Sequence, residues 1–217
     1  MSLKIKKKSG SSGPPMDAGT YPAVCVGIVD LGRQYSETFK KYNDKALFIW
    51  EIPSQTIEID GESKPRWLSK DFTSSFSEKS NLYNMLVSWR GKAFTEDELK
   101  EDKDGFVRFR IKDMLGAGCF LQVIVEEKDS GTYNRITSVI ALPAGMEPPQ
   151  AQNLLISFDV DEWDDEVFSS LPVWIQDRIK KSTQYQKLHV PDSVVDVDTG
   201  GGQQTGTAGE KKEANPI

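Results

Sequence analysis

The sequence predicts a mainly β fold with one helix between its third and fourth strands and a helical C-terminal extension. Three observations carry this. Runs of strand length, rich in β-branched and aromatic residues, recur between Gly19 and Leu142 with turn residues between them. One segment, Ser74–Thr95, interrupts them with apolar residues at helical rather than alternating spacing. Beyond a Pro-rich stretch, PAGMEPPQAQ at 143–152, the pattern turns acidic and then helical.

Taken in order, GTYPAVCVGIVDL (19–31) is the first strand, with Pro22 near its start where an edge tolerates it. A charged loop with aromatic residues, GRQYSETFKKYND, leads to the second strand, KALFIWEIPSQTIEI, in which Pro53 predicts a bulge or bend. Asp60-Gly61 is a hairpin turn into KPRWLSKDFTSSF, the third strand. The helix follows, with Ser77 as N-cap, Gly91 as its stop, and Leu82, Met85, Leu86 and Trp89 on one face. Thr95 and Glu98 stand in capping-box positions, KEDKDG is a surface loop, and Ile111–Leu115 is a helical turn ended by Gly116. CFLQVIVEE and TYNRITSVIAL form the last hairpin, with Leu121, Val123, Val125, Ile136 and Ile140 expected inward and Phe120, Gln122, Tyr133 and Arg135 outward. A single amphipathic helix is expected from Pro172 to Leu188, with Val173, Trp174, Ile175 and Ile179 on its apolar face.

Three strands, a helix and two strands is the order of the five-stranded OB barrel, whose usual ligands are oligonucleotides and oligosaccharides. The expected organisation is a flexible basic arm at 1–18, the barrel domain at 19–145, an acidic segment with the amphipathic helix at 146–190, and a disordered tail at 191–217. The fold leaves the function open, so the residues must supply it.

Net charge is −6, but it is segregated. Residues 1–15 carry four lysines and no acid; Glu147–Leu171 carries seven acids and no base; 172–190 turns basic again. A mildly acidic chain of this kind can keep a local cationic groove, because charges more than about 10 Å apart are screened at 0.1 M salt. Two cysteines in apolar runs, Cys25 and Cys119, read as buried reduced thiols of a cytoplasmic protein. The N-terminal segment lacks the apolar stretch of a secretory signal, and no run is long enough to span a bilayer.

No catalytic constellation, metal site or cofactor site is expected, and the chain reads as a non-enzyme. DVDEWDDE and DKDG lack the ligand spacing of a calcium loop. Gly200–Gly202 has neither a preceding strand nor a following helix, as a phosphate loop requires. His189 reads as a solvated surface histidine, and Arg90 as a partner for the carbonyls at its helix end.

The residues suited to a ligand are aromatic and cationic. Tyr35, Phe39, Lys40, Lys41 and Tyr42 crowd the first loop; Trp50, Arg66, Trp67 and Lys70 line the following hairpin; Tyr133 and Arg135 follow the last turn. Flat rings for unpaired bases beside cations for the backbone are what single-stranded nucleic acid needs. In an OB barrel the site is the exposed face of strands 2 and 3 with the 1–2 and 4–5 loops. Phe48, Trp50 and Phe72 also fit the alternative role of barrel filling. In the acidic segment, Phe158, Trp163 and Phe168 among the carboxylates suggest a short segment that docks a partner protein or lies over the cationic groove.

GTYPAVCVGIVDLG, FIWEIP, DFTSSFSEKSNLYNMLVSWRGKAFTEDEL and GTYNRITSVIALPAG resemble a family of small bacteriophage proteins from replication gene neighbourhoods. That family is regarded as OB-fold and similar to single-stranded DNA-binding proteins. The resemblance covers residues 16–146 and implies sequestration of single-stranded DNA in phage replication or recombination, in the host cytoplasm. Bacterial relatives of that class end in an acidic peptide with a terminal Pro-Phe. This chain ends EKKEANPI, so Phe158, Trp163 and Phe168 become the candidates for recruiting phage or host replication proteins. The expectation is therefore sequence-nonspecific binding of single-stranded DNA, with an interaction adaptor as the alternative. Homo-oligomers through exposed strands are also compatible with the pattern.

Overall fold

Residues 14–59 and 61–189 are described by a computed structural model. The lysines of the expected N-terminal arm, Asp60 of the expected turn, the Gly200–Gly202 run and the tail at 191–217 lie outside the described residues. Two unusually long strands dominate. β1 (Gly19–Ser36) and β2 (Lys41–Ile59) run antiparallel through their whole shared length, so the segment expected as a loop between them is mostly hairpin. β3 (Glu62–Thr73) pairs with β2, and the ladder slips between Ile52 and Thr56, where Pro53 cannot donate.

The first third of β1, Gly19–Val24, pairs with β4 (Gly118–Lys128), and β4 forms a hairpin with β5 (Gly131–Ile140). Once β4 has diverged, the vacated edge of β1 at Gly27–Val29 is taken in parallel by the short β6 (Ile156–Phe158). The result is a mainly β, six-stranded sheet in the order β3-β2-β1-β4-β5, with β6 beside β1. It remains open, and no backbone ladder joins β3 to β5.

The expected helix, α1 (Asn81–Arg90), buries Leu82, Met85, Leu86 and Trp89 as its spacing predicts, and Gly91 ends it in the left-handed region at φ 67°. Its N-cap is Ser80 rather than Ser77. Ser77 is spent on a preceding turn, accepting from Ser80 N at its carbonyl, while Ser80 Oγ accepts from Tyr83 N at 3.1 Å. α1 is fastened to the sheet by Ser88 Oγ donating to Val139 O and Trp89 Nε1 donating to Gly118 O. The capping box at Thr95 and Glu98 opens α2 (Glu96–Leu99), and Ile111–Met114 is a 3-10 turn. Arg90 stands in the last turn of α1, where its charge complements the helix dipole, but its hydrogen bond goes to Glu98 rather than to an end carbonyl. It pairs with Glu98 and lies 4.1 Å from the centre of the Phe94 ring.

Val125 and Ile140, expected inward, are about two-fifths exposed, and Val139 is buried instead. The register shift opposite Gln122 and Val123 explains the difference for β5. Thr137 is the extra residue, and it reverses the alternation beyond Ile136.

Residues beyond the Pro-rich stretch pack on the sheet. The expected long helix breaks at Lys180–Ser182 into α4 (Val173–Ile179) and α5 (Thr183–His189), preceded by α3 (Asp165–Ser170). Within α4, Ile175 and Ile179 are buried, whereas Val173 and Trp174 face out. The sheet therefore has two cores. Phe48, Trp50, Phe72, Leu121 and Ile136 meet α1 on one face. Val26, Leu31, Leu47 and Ile49 meet Phe158, Val160, Leu171, Ile175 and Ile179 on the other.

Candidate functional site

The first candidate group is the end of the β1–β2 hairpin. The β2–β3 ladder stops at Lys45–Thr73, whereas β1 and β2 continue to the Ser36–Lys41 pair, so residues 33–44 form a two-stranded ribbon. Tyr35 and Tyr42 are direct cross-strand partners with ring centroids 5.1 Å apart. They are 44% and 51% exposed, and Phe39 in the turn is 72% exposed. Lys41 Nζ lies 6.0 Å from the centre of the Phe39 ring, and Lys40, at φ 49° in the tight turn, pairs with Glu37 at 2.9 Å. The structure thus brings together all five residues expected in this segment. It places them on a ribbon rather than a loop.

The second group divides. Trp50 is fully buried, stacked on Phe48 with centroids 5.7 Å apart and packed against Trp89, so it is core and offers no face to a base. Strand alternation explains this. Trp50 shares its face with Phe48 and Ile52, which point toward α1. Trp67 points the other way and is half-buried, its Nε1 donating to Glu51 at 3.2 Å. Arg66 donates to Pro14 O. Lys70 reaches across the gap between β3 and β5, donating to Ile136 O at 3.1 Å. Burial first and nearby Arg135 second hold the Lys70 ammonium below the usual lysine range. Tyr133, 41% exposed, donates to Ser130 O within its own turn, and Arg135 pairs with Glu126 at 3.4 Å.

The face expected to hold the ligand is covered. Gly32, at φ 68°, lets β1 pass under α5; a Cβ there would lie 2.7 Å from Ser182 Cβ. Arg33 N donates to Gln184 Oε1, Gln34 Nε2 to Arg178 O, and Arg178 pairs with Asp71 at 3.3 Å. Glu51, fully buried, accepts from Trp67 Nε1, Gln152 N and Asn153 Nδ2. Burying each large aliphatic side chain contributes roughly 1.5–3 kcal/mol, so Leu31, Leu47, Ile49, Ile175 and Ile179 together supply on the order of 10 kcal/mol before ordering costs. That is as large as the net stability of a typical domain. The C-terminal layer is part of the fold, not a loose flap.

The acidic segment packs over the outer face of β1 and β2 instead of standing free to dock a partner protein. Phe158 is 4% exposed, and Trp163 and Phe168 pack on it with centroids 5.2 and 5.9 Å away. The rings close the second core, while the acids between them point to solvent. His189, expected to be solvated, is exposed but stacks on Tyr185 with centroids 4.3 Å apart.

Two clefts flank β2. One, of about 690 Å³, is lined by Asp30, Asp44, Asp159, Asp161 and Glu162 facing Arg110 and Lys112 over Phe76 and Phe109. Desolvation, and then the charges of Asp159 and Asp161, raise the Asp30 carboxyl to about 6. The other, of about 650 Å³, follows the open seam between β3 and β5. Among the described residues no cluster of His, Cys, Asp and Glu is placed to hold a metal, and no helix is long and apolar enough to cross a membrane. Cys25 and Cys119 are buried free thiols, and burial pushes Cys25 up to about 12, which removes its thiolate at neutral pH. No protein-family model matches the chain, and no curated protein matches it.

Proposed function

We propose that the protein is an OB-type module that binds single-stranded DNA without reading its sequence, gripping bases with the β1–β2 ribbon. The strand order, with β1 shared between a β2–β3 half and a β4–β5 half and α1 packed across the gap, supports the OB reading. The observation that carries the function is the group of three exposed rings, Tyr35, Phe39 and Tyr42, set among Arg33, Lys40, Lys41 and Lys45. Rings held out of the core beside cations suit unpaired bases, each stacked base contributing about 1–3 kcal/mol. The covered outer face moves this site from the strand 2–3 surface to the ribbon. The role in phage replication or recombination rests on the sequence resemblance.

Fluorescence anisotropy of labelled oligo-dT tests the proposal. Wild-type protein is expected to bind at about 50 mM salt and to weaken steeply as salt rises. Replacing Tyr35, Phe39 and Tyr42 together by Ala should cost at least about 100-fold in affinity. Absence of binding at low salt, or unchanged binding by the triple variant, overturns it.

A further inference from the structure

The seam between β3 and β5 opens into a trough bounded by α1. Its walls carry Lys45, Lys70 and Lys79 together with Asn81, Thr137 and Ser138. Its one carboxylate, Asp71, is already engaged by Arg178 at 3.3 Å and Lys45 at 3.8 Å. Lys70 has no carboxylate partner among the described residues; its hydrogen bond goes to a neutral carbonyl, Ile136 O. Arg135, on β5, is paired with Glu126 at 3.4 Å, so the trough's cations without a carboxylate partner among the described residues are Lys70 and Lys79. The Thr137 hydroxyl is committed to Gln122 O, whereas the Ser138 hydroxyl and the Asn81 amide can donate to anionic oxygens. Along β2, Lys45 of the trough is three residues from Tyr42 of the ribbon, about 10 Å at strand rise, with Asp44 of the acidic cleft between them. The acidic cleft on the other side of β2 would repel the same ligand.

We propose that this seam is a phosphodiester-binding groove, in which Lys70 and Lys79 hold the sugar–phosphate backbone of the strand whose bases the ribbon stacks. The assignment rests on the single-stranded DNA reading and adds the backbone path to it. It places the phosphates at an opening in the sheet, away from the covered outer face.

Lysine acetylation read by mass spectrometry tests it on the wild-type chain. Saturating oligo-dT should slow modification of Lys70 and Lys79 at least several-fold while leaving Lys64 and Lys112 unchanged. In parallel, Lys79→Gln, and Lys70→Gln combined with Lys79→Gln, should lower the salt slope of oligo-dT binding by about 0.7 per lost phosphate contact. Both variants should retain wild-type melting within a few degrees, and the double variant should bind homopolymers of any base proportionately more weakly. If oligo-dT binds and the ring variant loses it, while Lys70 and Lys79 stay unprotected and the Gln variants keep the wild-type slope, the groove is refuted and the DNA reading stands. If millimolar inorganic phosphate protects both lysines and oligo-dT does not, the seam takes free phosphate and the proposal falls. Failure of the wild-type protein to bind any oligonucleotide removes both.

Discussion

Glu51 offers the sharpest test of whether the C-terminal layer belongs to the fold. It is a fully buried carboxylate in the middle of β2, on the face away from α1. Its oxygens accept from Trp67 Nε1 at 3.2 Å, Gln152 N at 2.6 Å and Asn153 Nδ2, joining β3 and the Pro-rich connection to one acceptor. Glu51→Ala leaves three donors facing a small cavity. An unsatisfied buried donor costs about 1–3 kcal/mol, and some of these will recruit water, so the expected loss is about 4 kcal/mol. Glu51→Gln keeps the shape but turns one acceptor into a donor facing a donor, for a loss of about 2 kcal/mol. For a chain of this length, 4 kcal/mol corresponds to roughly a 10 °C fall in melting temperature. Urea unfolding followed by Trp fluorescence gives the free energies, and limited proteolysis should show earlier cleavage near 146–153 in Glu51→Ala. A loss below about 0.5 kcal/mol with unchanged proteolysis would mean that the layer is held without this acceptor, and the reasoning would fail.

Two further outcomes follow from burial and charge. Trp50→Ala should destabilise the protein by about 3–5 kcal/mol, whereas the ribbon triple variant should stay within about 1 kcal/mol of wild type by thermal melting. Equal effects would contradict the assignment of Trp50 to core and the other rings to surface. Asp30, raised from 3.8 to about 6, binds its proton more tightly in the folded state than in the unfolded one. Its stability contribution is therefore complete below about pH 4 and is lost as pH climbs through 6. Allowing for screening at the mouth of the cleft, about 1–2 kcal/mol should separate pH 4.5 from pH 7.5 through this group, and Asp30→Asn should flatten that difference. A pH profile unchanged by Asp30→Asn would show that burial, together with Asp159 and Asp161, does not hold the Asp30 proton.

Local patterns were legible because they are written in neighbouring residues. The α1 face of Leu82, Met85, Leu86 and Trp89, the Thr95–Glu98 capping box and the Pro53 irregularity each depend on a few adjacent positions. The ribbon group was legible as a set, since its five residues lie within eight positions. Where a bulge intervened, as at Thr137, strict alternation pointed Ile140 the wrong way. A signal for the second core was present but unused. Ala23–Val29 and Ala46–Ile52 are nearly continuous apolar runs, which mark strands covered on both faces rather than one.

By itself the sequence determined the order three strands, helix, two strands, because periodicity, caps and turn residues act over a few bonds. It did not show that 33–44 is a ribbon, that the last helix breaks at Lys180–Ser182, or that β6 and α3 form. The tertiary structure alone decided what covers the far side of β1 and β2. An apolar stripe states that it needs a cover, and Phe158, Ile175 and Ile179 could supply one only after more than a hundred intervening residues had folded back. That closure buried Phe158, while α1 buried Trp50 on the opposite face. It left Tyr35, Phe39 and Tyr42 in solvent because the ribbon runs past the last strand that could shelter them.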